Sequence, residues 1–253
     1  MSKTFIAFGD IHLPYQDPTA LEVAMRAIEY IKPDCAVCMG DLLDGYQFSA
    51  HPPTRGVVET EYSDDLAQGN QLFDRVQASS GRLVMVEGNH ENRIDRSAAA
   101  SKEMRGAYSM LSPRLNLSRG RKAFTYIPYA EDDGKYAHYK INNRIHAVHG
   151  WSFAMNAARK HLTMSQGKSI LYGDTHRADS VTVPDVGSTH GLVHAMSTGC
   201  LCQRIPGYRP SRVVEWVHAF VLGYLGREGD SLYRIDITGD KCTLPDGTEI
   251  TAK

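Results

Sequence analysis

The chain has 253 residues, of which 42% are hydrophobic and 23% are charged. These proportions are ordinary for a globular protein with a core of normal size, and they exclude a largely disordered chain. The 28 basic and 29 acidic residues give a formal charge of −1. The surface as a whole is therefore not that of a protein that binds nucleic acid through general basicity.

No segment of the sequence has the pattern of a secretory leader or the roughly 18 consecutive apolar residues of a membrane span. The five cysteines have no spacing typical of a disulfide framework. We therefore predict a soluble, cytoplasmic protein without a membrane partner. The sequence leaves its oligomeric state open.

Short apolar strands that end in a polar segment recur along the chain. They are predicted at residues 4–8, 35–39, 83–86, 145–148, 169–172 and 193–197. Residues 18–32 carry apolar side chains at helical spacing between the first two strands, which predicts a βαβ unit with parallel, buried strands. Further helices are predicted at residues 59–78 and 91–112, the second ending before Pro113.

The C-terminal region is predicted to form short antiparallel strands. Residues 216–237 contain two apolar segments with a turn near residues 227–230, and residues 238–240 and 245–247 are typical of hairpin turns. The sequence has no linker, repeat or low-complexity tract. We expect one domain over residues 1–253, with the segments at about 45–80 and 91–140 as candidate caps.

Two cysteine pairs and one basic segment each have two interpretations. Cys35 and Cys38 have zinc-like spacing, but their positions on opposite faces of a strand favour core packing. Cys200 and Cys202 share a face, but no second pair completes a four-ligand site. Residues 114–122 fit a solvated loop better than a basic binding patch.

Side chains that can bind metal ions follow a glycine at several of these strand ends. In open α/β sheets, ligands bind beyond the carboxyl ends of the strands. Their oxygen and imidazole donors suit Mn²⁺, Fe²⁺ or Zn²⁺ better than Mg²⁺ or Ca²⁺. Seven donors are too many for one ion, so we predict two ions that share a carboxylate. The candidate ligands are Asp10, His12, Asp41, Asn89, His149, Asp174 and His176.

The order of these motifs resembles that of the calcineurin-like metallophosphoesterases, from Asp10 to about Cys200. The resemblance consists of Asp10-x-His12, Gly40-Asp41-x-x-Asp44, Gly88-Asn89-His90-Glu91, the later His149, and Gly173-Asp174-x-His176. It implies an α/β fold in four layers, with two mixed β-sheets flanked by helices. It also implies one ion on Asp10, His12, Asp41 and His176, and a second on Asp41, Asn89, His149 and residue 174.

One position departs from the family pattern. Asp174 stands where the family usually has histidine. A carboxylate can take the same coordination position, and it makes the site harder and more anionic. We therefore predict Mn²⁺ as the first choice for both ions, with Fe²⁺, Zn²⁺ or Ni²⁺ as alternatives.

The resemblance also implies catalytic and substrate-binding roles. His90 would contact the phosphate together with Asn89, and it would protonate the leaving oxygen while a bridging hydroxide attacks in line. Asp44 would orient His90 through a hydrogen bond. A leaving alkoxide needs an acid, and histidine titrates in the right range. Two alternatives stay open: Asp44 as a helix cap, and Arg93 either as a phosphate ligand or in a surface salt bridge.

The neighbouring residues favour a phosphodiester substrate. Protein phosphatases of this superfamily place arginine where this chain has Gly45, and residues 197–201 and 216–220 resemble phosphoesterases of phages and prophages. We expect hydrolysis of DNA, RNA or nucleotides. A phosphomonoesterase and a catalytically idle metal-binding scaffold are the alternatives. Residues 46–48 and 51–53 either stack a base in the cleft or pack within a cap.

Overall fold

The computed structural model describes residues 3–50, 60–100, 102–130, 135–187, 191–205 and 214–253. In chain order its strands are β1 (Lys3–Phe8), β2 (Cys35–Cys38), β3 (Leu83–Val86), β4 (Phe124–Ile127), β5 (Tyr139–Lys140), β6 (Ile145–Val148), β7 (Ser169–Tyr172), β8 (Ser180–Pro184), β9 (Leu192–Ser197), β10 (Ala219–Leu225), β11 (Asp230–Asp236), β12 (Lys241–Thr243) and β13 (Glu249–Thr251). The helices are α1 (Pro18–Ile31), α2 (Tyr62–Ala78), α3 (Asn89–Ala100), α4 (Lys102–Arg105), α5 (Tyr108–Leu111), α6 (Pro113–Ser118) and α7 (Ala157–Met164), with a 3₁₀ helix at Tyr46–Phe48.

The strands form two mixed sheets and one hairpin. The first sheet has the order β11-β10-β1-β2-β3-β4, in which β1 to β4 are parallel and β10 and β11 are antiparallel to their neighbours. The second has the order β5-β6-β7-β9-β8, with β6, β7 and β9 parallel and both edge strands antiparallel. The hairpin pairs β12 with β13.

Alternating side chains of the buried strands separate the layers of the molecule. In β1, Phe5 and Ala7 belong to a cluster between the two sheets, together with Ala147 of β6. Ile6 and Phe8 face the other way, into the cluster beneath α1 and α2. A third cluster packs α7 on the outer face of the second sheet. The predicted four-layer sandwich of two mixed sheets and outer helices is confirmed.

The predicted helix at residues 18–32 corresponds to α1. Asp17 begins it, because its carboxylate accepts hydrogen bonds from the backbone N–H groups of Thr19 and Ala20, and Pro18 takes the first position. The helix predicted from residue 59 begins at Tyr62, and Glu59 lies outside the described residues.

The single helix predicted at residues 91–112 is wrong. The segment contains α3, α4 and α5 as separate short helices. Pro113 follows the break but also begins α6, since proline suits the first turn of a helix as well as the end of the previous one. Gly106 lies between α4 and α5, where its low helix propensity helps to interrupt the helix.

Cys35 and Cys38 pack in the core as expected, but the loop expected at residues 114–122 is wrong: its first part belongs to α6, where Leu117 is buried. Cys35 lies in the cluster between the sheets and Cys38 in the cluster under the helices, so their side chains occupy opposite faces of β2. Arg121 of the same segment contacts the protein: its guanidinium lies 2.6 Å from Asp74 and over the ring of Phe73. The guanidinium of Arg121 is therefore bound to other side chains of the protein.

The extent of the domain and the two candidate caps stay predictions. Within the candidate caps, α2 and α6 pack against each other, and residues such as Phe73 and Leu117 belong to the cluster on the outer face of the first sheet. None of the helices in the described ranges combines the length and apolar character that crossing a membrane requires.

Candidate functional site

The loops that follow β1, β2 and β7 have an unusual backbone conformation. Five non-glycine residues in them have positive φ angles: Asp10 (50°), His12 (54°), Asp41 (49°), Asp174 (65°) and His176 (58°). Such conformations disfavour residues with a Cβ and persist only where the surroundings enforce them. All five are candidate metal ligands from the sequence, so the strained backbone and the predicted site coincide.

Main-chain hydrogen bonds hold these loops together. The N–H of Asp10 donates to the carbonyl of Gly40 at 3.0 Å, and the N–H of His12 donates to the carbonyl of Asp41 at 2.9 Å. Gly40 has φ of 101°, and a Cβ there would lie 2.5 Å from Nδ1 of His149. Only glycine therefore allows the second sheet to approach the first at this point.

A first group of donor atoms comes from Asp10, His12, Asp41 and His176. Nε2 of His176 lies 3.1 Å from Oδ1 of Asp10 and 3.3 Å from Nε2 of His12. Nε2 of His12 lies 3.6 Å from Oδ2 of Asp41. Two ligands that each lie about 2.1 Å from one metal are separated by about 3.0 to 3.4 Å, so these atoms are close to the spacing of a coordination shell.

A second group comes from Asp41, Asn89, His149 and Asp174. Nε2 of His149 lies 2.8 Å from Oδ1 of Asn89, 3.4 Å from Oδ2 of Asp41 and 3.6 Å from Oδ1 of Asp174. Only acceptors surround Oδ1 of Asn89. If the amide were rotated, its NH₂ group would face Asp41, His149 and Asp174 instead. Acceptors that converge with so few donors among them are what a bound cation requires.

Asp41 belongs to both groups. Its Oδ2 is the atom that approaches His12 on one side and His149 on the other. Its Oδ1 accepts a hydrogen bond from the backbone N–H of His90 at 3.0 Å, which fixes the orientation of the carboxylate. Oδ2 of Asp41 therefore lies next to donor atoms of both groups. The seven predicted ligands all lie in this one place, and they fit two divalent ions.

Each imidazole in these groups has a partner for its other nitrogen. Nδ1 of His149 donates to the carbonyl of Met39 at 2.8 Å, and Nδ1 of His12 lies 3.3 Å from Oδ2 of Asp44. These contacts turn the Nε2 atoms towards the site, as the outer partners of metal-bound histidines usually do. Nδ1 of His176 has a thiol instead, the Sγ of Cys202 at 3.6 Å. No pattern in the sequence connects Cys202 with the site.

The carboxylates shift the titration of the imidazoles. Burial opposes protonation of His176, but the charge of Asp10 and its hydrogen bond outweigh burial and raise the pKa of His176 to about 10. Burial is likewise outweighed at His149, where Asp41 is the main cause of a raised pKa. The negative charge that raises these pKa values would also attract cations.

His90 lies next to His12 and Asp41: its ring is 4.5 Å from that of His12 between centroids, and its Nε2 lies 3.9 Å from Oδ2 of Asp41. Its Nδ1 lies 2.7 Å from the backbone carbonyl of Asp44, which can only accept, so we assign a proton to Nδ1. The carboxylate of Asp44 is farther away, with Oδ2 3.5 Å from the same nitrogen. The carbonyl is therefore the closer orienting group, whereas we expected the side chain. Burial lowers the pKa of His90 although Asp41 acts to raise it.

Arg93 also contacts this carbonyl. Its Nη2 donates to the backbone oxygen of Asp44 and lies 2.9 Å from Nδ1 of His90. Its Nε is buried and has no hydrogen-bond partner among the described residues. The contact with Asp44 supports neither the surface salt bridge nor the phosphate contact, and the role of Arg93 stays a prediction.

Glu91 connects the loop after β2 with the loop after β3. Its buried carboxylate accepts from the backbone N–H groups of Asp41 and Gly88, both at 3.0 Å, and of Leu43 at 2.9 Å. Burial and the charge of Asp41 raise the pKa of Glu91 to about 7. In the sequence, Glu91 is recognisable only as part of a motif, because backbone donors leave no pattern in a sequence.

The aromatic residues after the second motif are engaged elsewhere. The ring of Phe48 packs on Tyr62 with centroids 5.0 Å apart. The hydroxyl of Tyr46 donates to the carbonyl of Thr60 at 3.1 Å. These contacts favour packing over base stacking for residues 46–48. Residues 51–53, the other part of the expected wall, lie outside the described residues.

The family model of the calcineurin-like phosphoesterases matches residues 3–205, and the chain belongs to this family. The match covers the whole set of strand ends that carry the site. Members of this family bind divalent metal ions, and the site contains groups of histidines and carboxylates whose donor atoms are close enough together to hold one. No curated protein matches the chain in a sequence comparison.

Solved structures with similar folds have low sequence identity to this chain. Wild-type Vps29 complexed with Zn²⁺ from Entamoeba histolytica has a TM-score of 0.50 and 13% identity, covering 99% of each chain. Vps29 from Chaetomium thermophilum has a TM-score of 0.47 and 12% identity, covering 98% of this chain and 92% of that one. YfcE, a phosphoesterase from E. coli, has a TM-score of 0.41 and 12% identity, covering 99% and 100%. The similarity to the Entamoeba protein agrees with the fold.

Proposed function

We propose that this protein is a phosphodiesterase that uses two divalent metal ions and acts on nucleic acid or nucleotides. The observation that carries the proposal is the position of Oδ2 of Asp41, 3.6 Å from Nε2 of His12 and 3.4 Å from Nε2 of His149. A carboxylate oxygen between two sets of donors suits two ions with a shared ligand. Such a pair activates water and stabilises the attacking and leaving oxygens of an in-line displacement.

Each of the two groups of donor atoms would bind one ion. Asp10, His12 and His176 would hold one ion, Asn89, His149 and Asp174 would hold the other, and Asp41 would belong to both. The aspartate at position 174 adds a negative charge where a neutral imidazole would add none. This charge and the mixture of oxygen and nitrogen donors favour Mn²⁺ or Fe²⁺, with Zn²⁺ and Ni²⁺ as alternatives.

His90 is the residue we assign to proton transfer. With its Nδ1 bound to the Asp44 carbonyl, its Nε2 is the nitrogen left to face the substrate. Burial keeps the imidazole neutral in the absence of substrate. A phosphodiester would bring negative charge next to the ring and favour the protonated form, which can then give its Nε2 proton to the leaving oxygen.

The activity is tested with two chromogenic esters and the Mn²⁺-loaded protein. We expect faster hydrolysis of bis(4-nitrophenyl) phosphate, a diester, than of 4-nitrophenyl phosphate, a monoester. Faster hydrolysis of the monoester would instead establish a phosphomonoesterase. If two ions bind and neither ester is hydrolysed with Mn²⁺, Fe²⁺, Zn²⁺ or Ni²⁺, the protein is a metal-binding scaffold and the proposal is wrong.

The role of His90 is tested by His90→Ala. We expect kcat for the diester to fall by about 100-fold or more, because a positioned acid contributes 10²–10⁴-fold. Metal content, measured by elemental analysis, should stay at two ions per chain. His194→Ala is the matched control, since His194 lies on β9 and its Nδ1 contacts Thr182 instead of the site. A loss of metal in His90→Ala would identify His90 as a ligand.

A further inference from the structure

A pocket of about 610 Å³ opens next to the second group of ligands. This volume lies within the range of ligand-binding pockets in proteins. Asp174 belongs both to the pocket wall and to the metal-ligand group, so a molecule in the pocket would be adjacent to the reaction centre. The lining residues are Phe153, Asp174, Thr175, Arg177, Val214, Glu215 and Trp216.

Trp216 is fixed relative to the metal ligands. It forms an antiparallel bridge with Arg177, and the next N–H, that of Val217, donates to the carbonyl of His176 at 2.8 Å. The indole meets the imidazole of His176 edge to face, with ring centroids 4.3 Å apart. The aromatic wall therefore has a defined position with respect to a phosphorus atom bound at the centre.

Phe153 provides a second aromatic surface and is 72% exposed. The loop that carries it is held in place by Arg177, whose Nη2 donates to the carbonyl of Ala154 at 2.7 Å. A large exposed aromatic side chain on a pocket wall is available for a ligand, since it gains from burial when one binds. Arg177 therefore holds the loop of Phe153 through its side chain and forms the β-bridge with Trp216 through its backbone.

The pocket chemistry matches a nucleobase better than a sugar or a peptide chain. Two aromatic side chains offer planar surfaces, and every base has a planar face that can stack on them. The exposed carboxylate of Glu215 lies at the same pocket and can accept a hydrogen bond from an N–H group of a base, such as the ring N3–H of thymine. By contrast, the aromatic residues at positions 46–48 are engaged by Tyr62 and Thr60.

We propose that this pocket binds the nucleobase of a nucleoside phosphodiester, with Phe153 and Trp216 as the residues that determine specificity. The proposal rests on the phosphodiesterase function above, and it adds the substrate class and the side of the metal centre on which the nucleoside lies. The base stacks in the pocket while its phosphate reaches the ligands beyond Asp174. Nucleoside esters are then better substrates than esters of simple alcohols.

The test compares two diesters that release the same 4-nitrophenolate. One is thymidine 5′-(4-nitrophenyl phosphate) and the other is methyl 4-nitrophenyl phosphate. The wild-type protein should prefer the thymidine ester in kcat/KM, and Phe153→Ala should reduce that preference by about 10-fold, as expected for the loss of one stacking partner. Met155→Ala is the matched control: Met155 is 92% exposed on the same loop and does not line the pocket. It should leave the preference unchanged.

A binding measurement separates failure of the pocket from failure of the enzyme. The chain has two tryptophans, so in a Trp151→Phe background the fluorescence reports on Trp216 alone. Thymidine 5′-monophosphate should quench it, and Phe153→Ala should weaken that binding by about 10-fold. Quenching without hydrolysis of any ester would support the pocket and contradict the phosphodiesterase. Hydrolysis with no preference for the thymidine ester and no quenching would overturn the pocket proposal alone.

Discussion

Replacing Glu91 with alanine tests how the metal-binding loops are held in place. The carboxylate accepts three buried backbone N–H groups, those of Asp41, Leu43 and Gly88. In Glu91→Ala these donors lose their acceptor, and each buried donor left unpaired costs about 1–3 kcal/mol. Allowing for local relaxation, we expect the free energy of unfolding to fall by about 3–6 kcal/mol. That is a large share of the stability of a typical domain, about 5–15 kcal/mol.

The measurement is urea unfolding of the metal-free protein at pH 8, followed by circular dichroism. Glu91→Gln is a milder variant, since one amide oxygen still accepts while the NH₂ group faces the remaining donors. We expect it to lose about half as much stability as Glu91→Ala. It also keeps the test valid if Glu91→Ala does not fold at all.

Glu87 provides the matched control. It is also buried, and burial raises its pKa to about 7 as at Glu91; among the described residues it accepts from one backbone N–H, that of Tyr129 at 2.8 Å. At pH 8 both carboxylates are ionised, so the two substitutions remove comparable buried charges. Glu87→Ala should therefore cost about 1–3 kcal/mol. If Glu91→Ala is no more destabilising than Glu87→Ala, the three hydrogen bonds do not hold the loops as we infer.

Three further predictions concern Asp174, Cys202 and His176. Asp174→Ala should reduce the bound metal from two ions to one in elemental analysis; two ions in the variant would exclude Asp174 as a ligand. Cys202→Ala should weaken metal binding by about 10-fold in calorimetric titrations, because outer partners of metal-bound histidines contribute 10–100-fold, and Cys202→Ser should lose less. The raised pKa of His176, about 10, gives the metal-free protein stability that is complete below pH 6.5 and lost as the pH rises through 10. Its Tm should fall from pH 7 to 10, whereas in His176→Ala this decrease should be smaller.

The strands and the convergence of the polar side chains that follow them could be predicted because both have local patterns. A buried parallel strand such as β2 appears as a continuous apolar run, and the glycine after it shows where the chain turns. The carboxyl ends of neighbouring parallel strands meet at one edge of a sheet, so the polar residues after the glycines could be assigned to one site. The strands β10 and β11 could be predicted in a different way, from two apolar segments separated by a turn.

The elements that the sequence did not reveal have weaker patterns or depend on tertiary contacts. The strand β4 has only partly buried residues, and β5 has two residues. Helix α7 has eight residues and depends on packing against the second sheet through residues such as Leu162. The helix predicted at residues 91–112 is interrupted at Gly106, which has a low helix propensity, and the short helices pack against one another.

The exact geometry of the site depends on main-chain contacts that the sequence does not display. Five ligands adopt positive φ angles, a conformation that costs of order 1–3 kcal/mol at each residue and has to be enforced by neighbours. The enforcing contacts run from backbone to backbone, as between Asp10 and Gly40, or from Glu91 to backbone N–H groups. These contacts hold the backbone of the candidate ligands in position. Because Glu91 accepts from the backbone of Asp41 and Gly88 without being a candidate ligand itself, substitutions at Glu91 should alter the binding of both ions together.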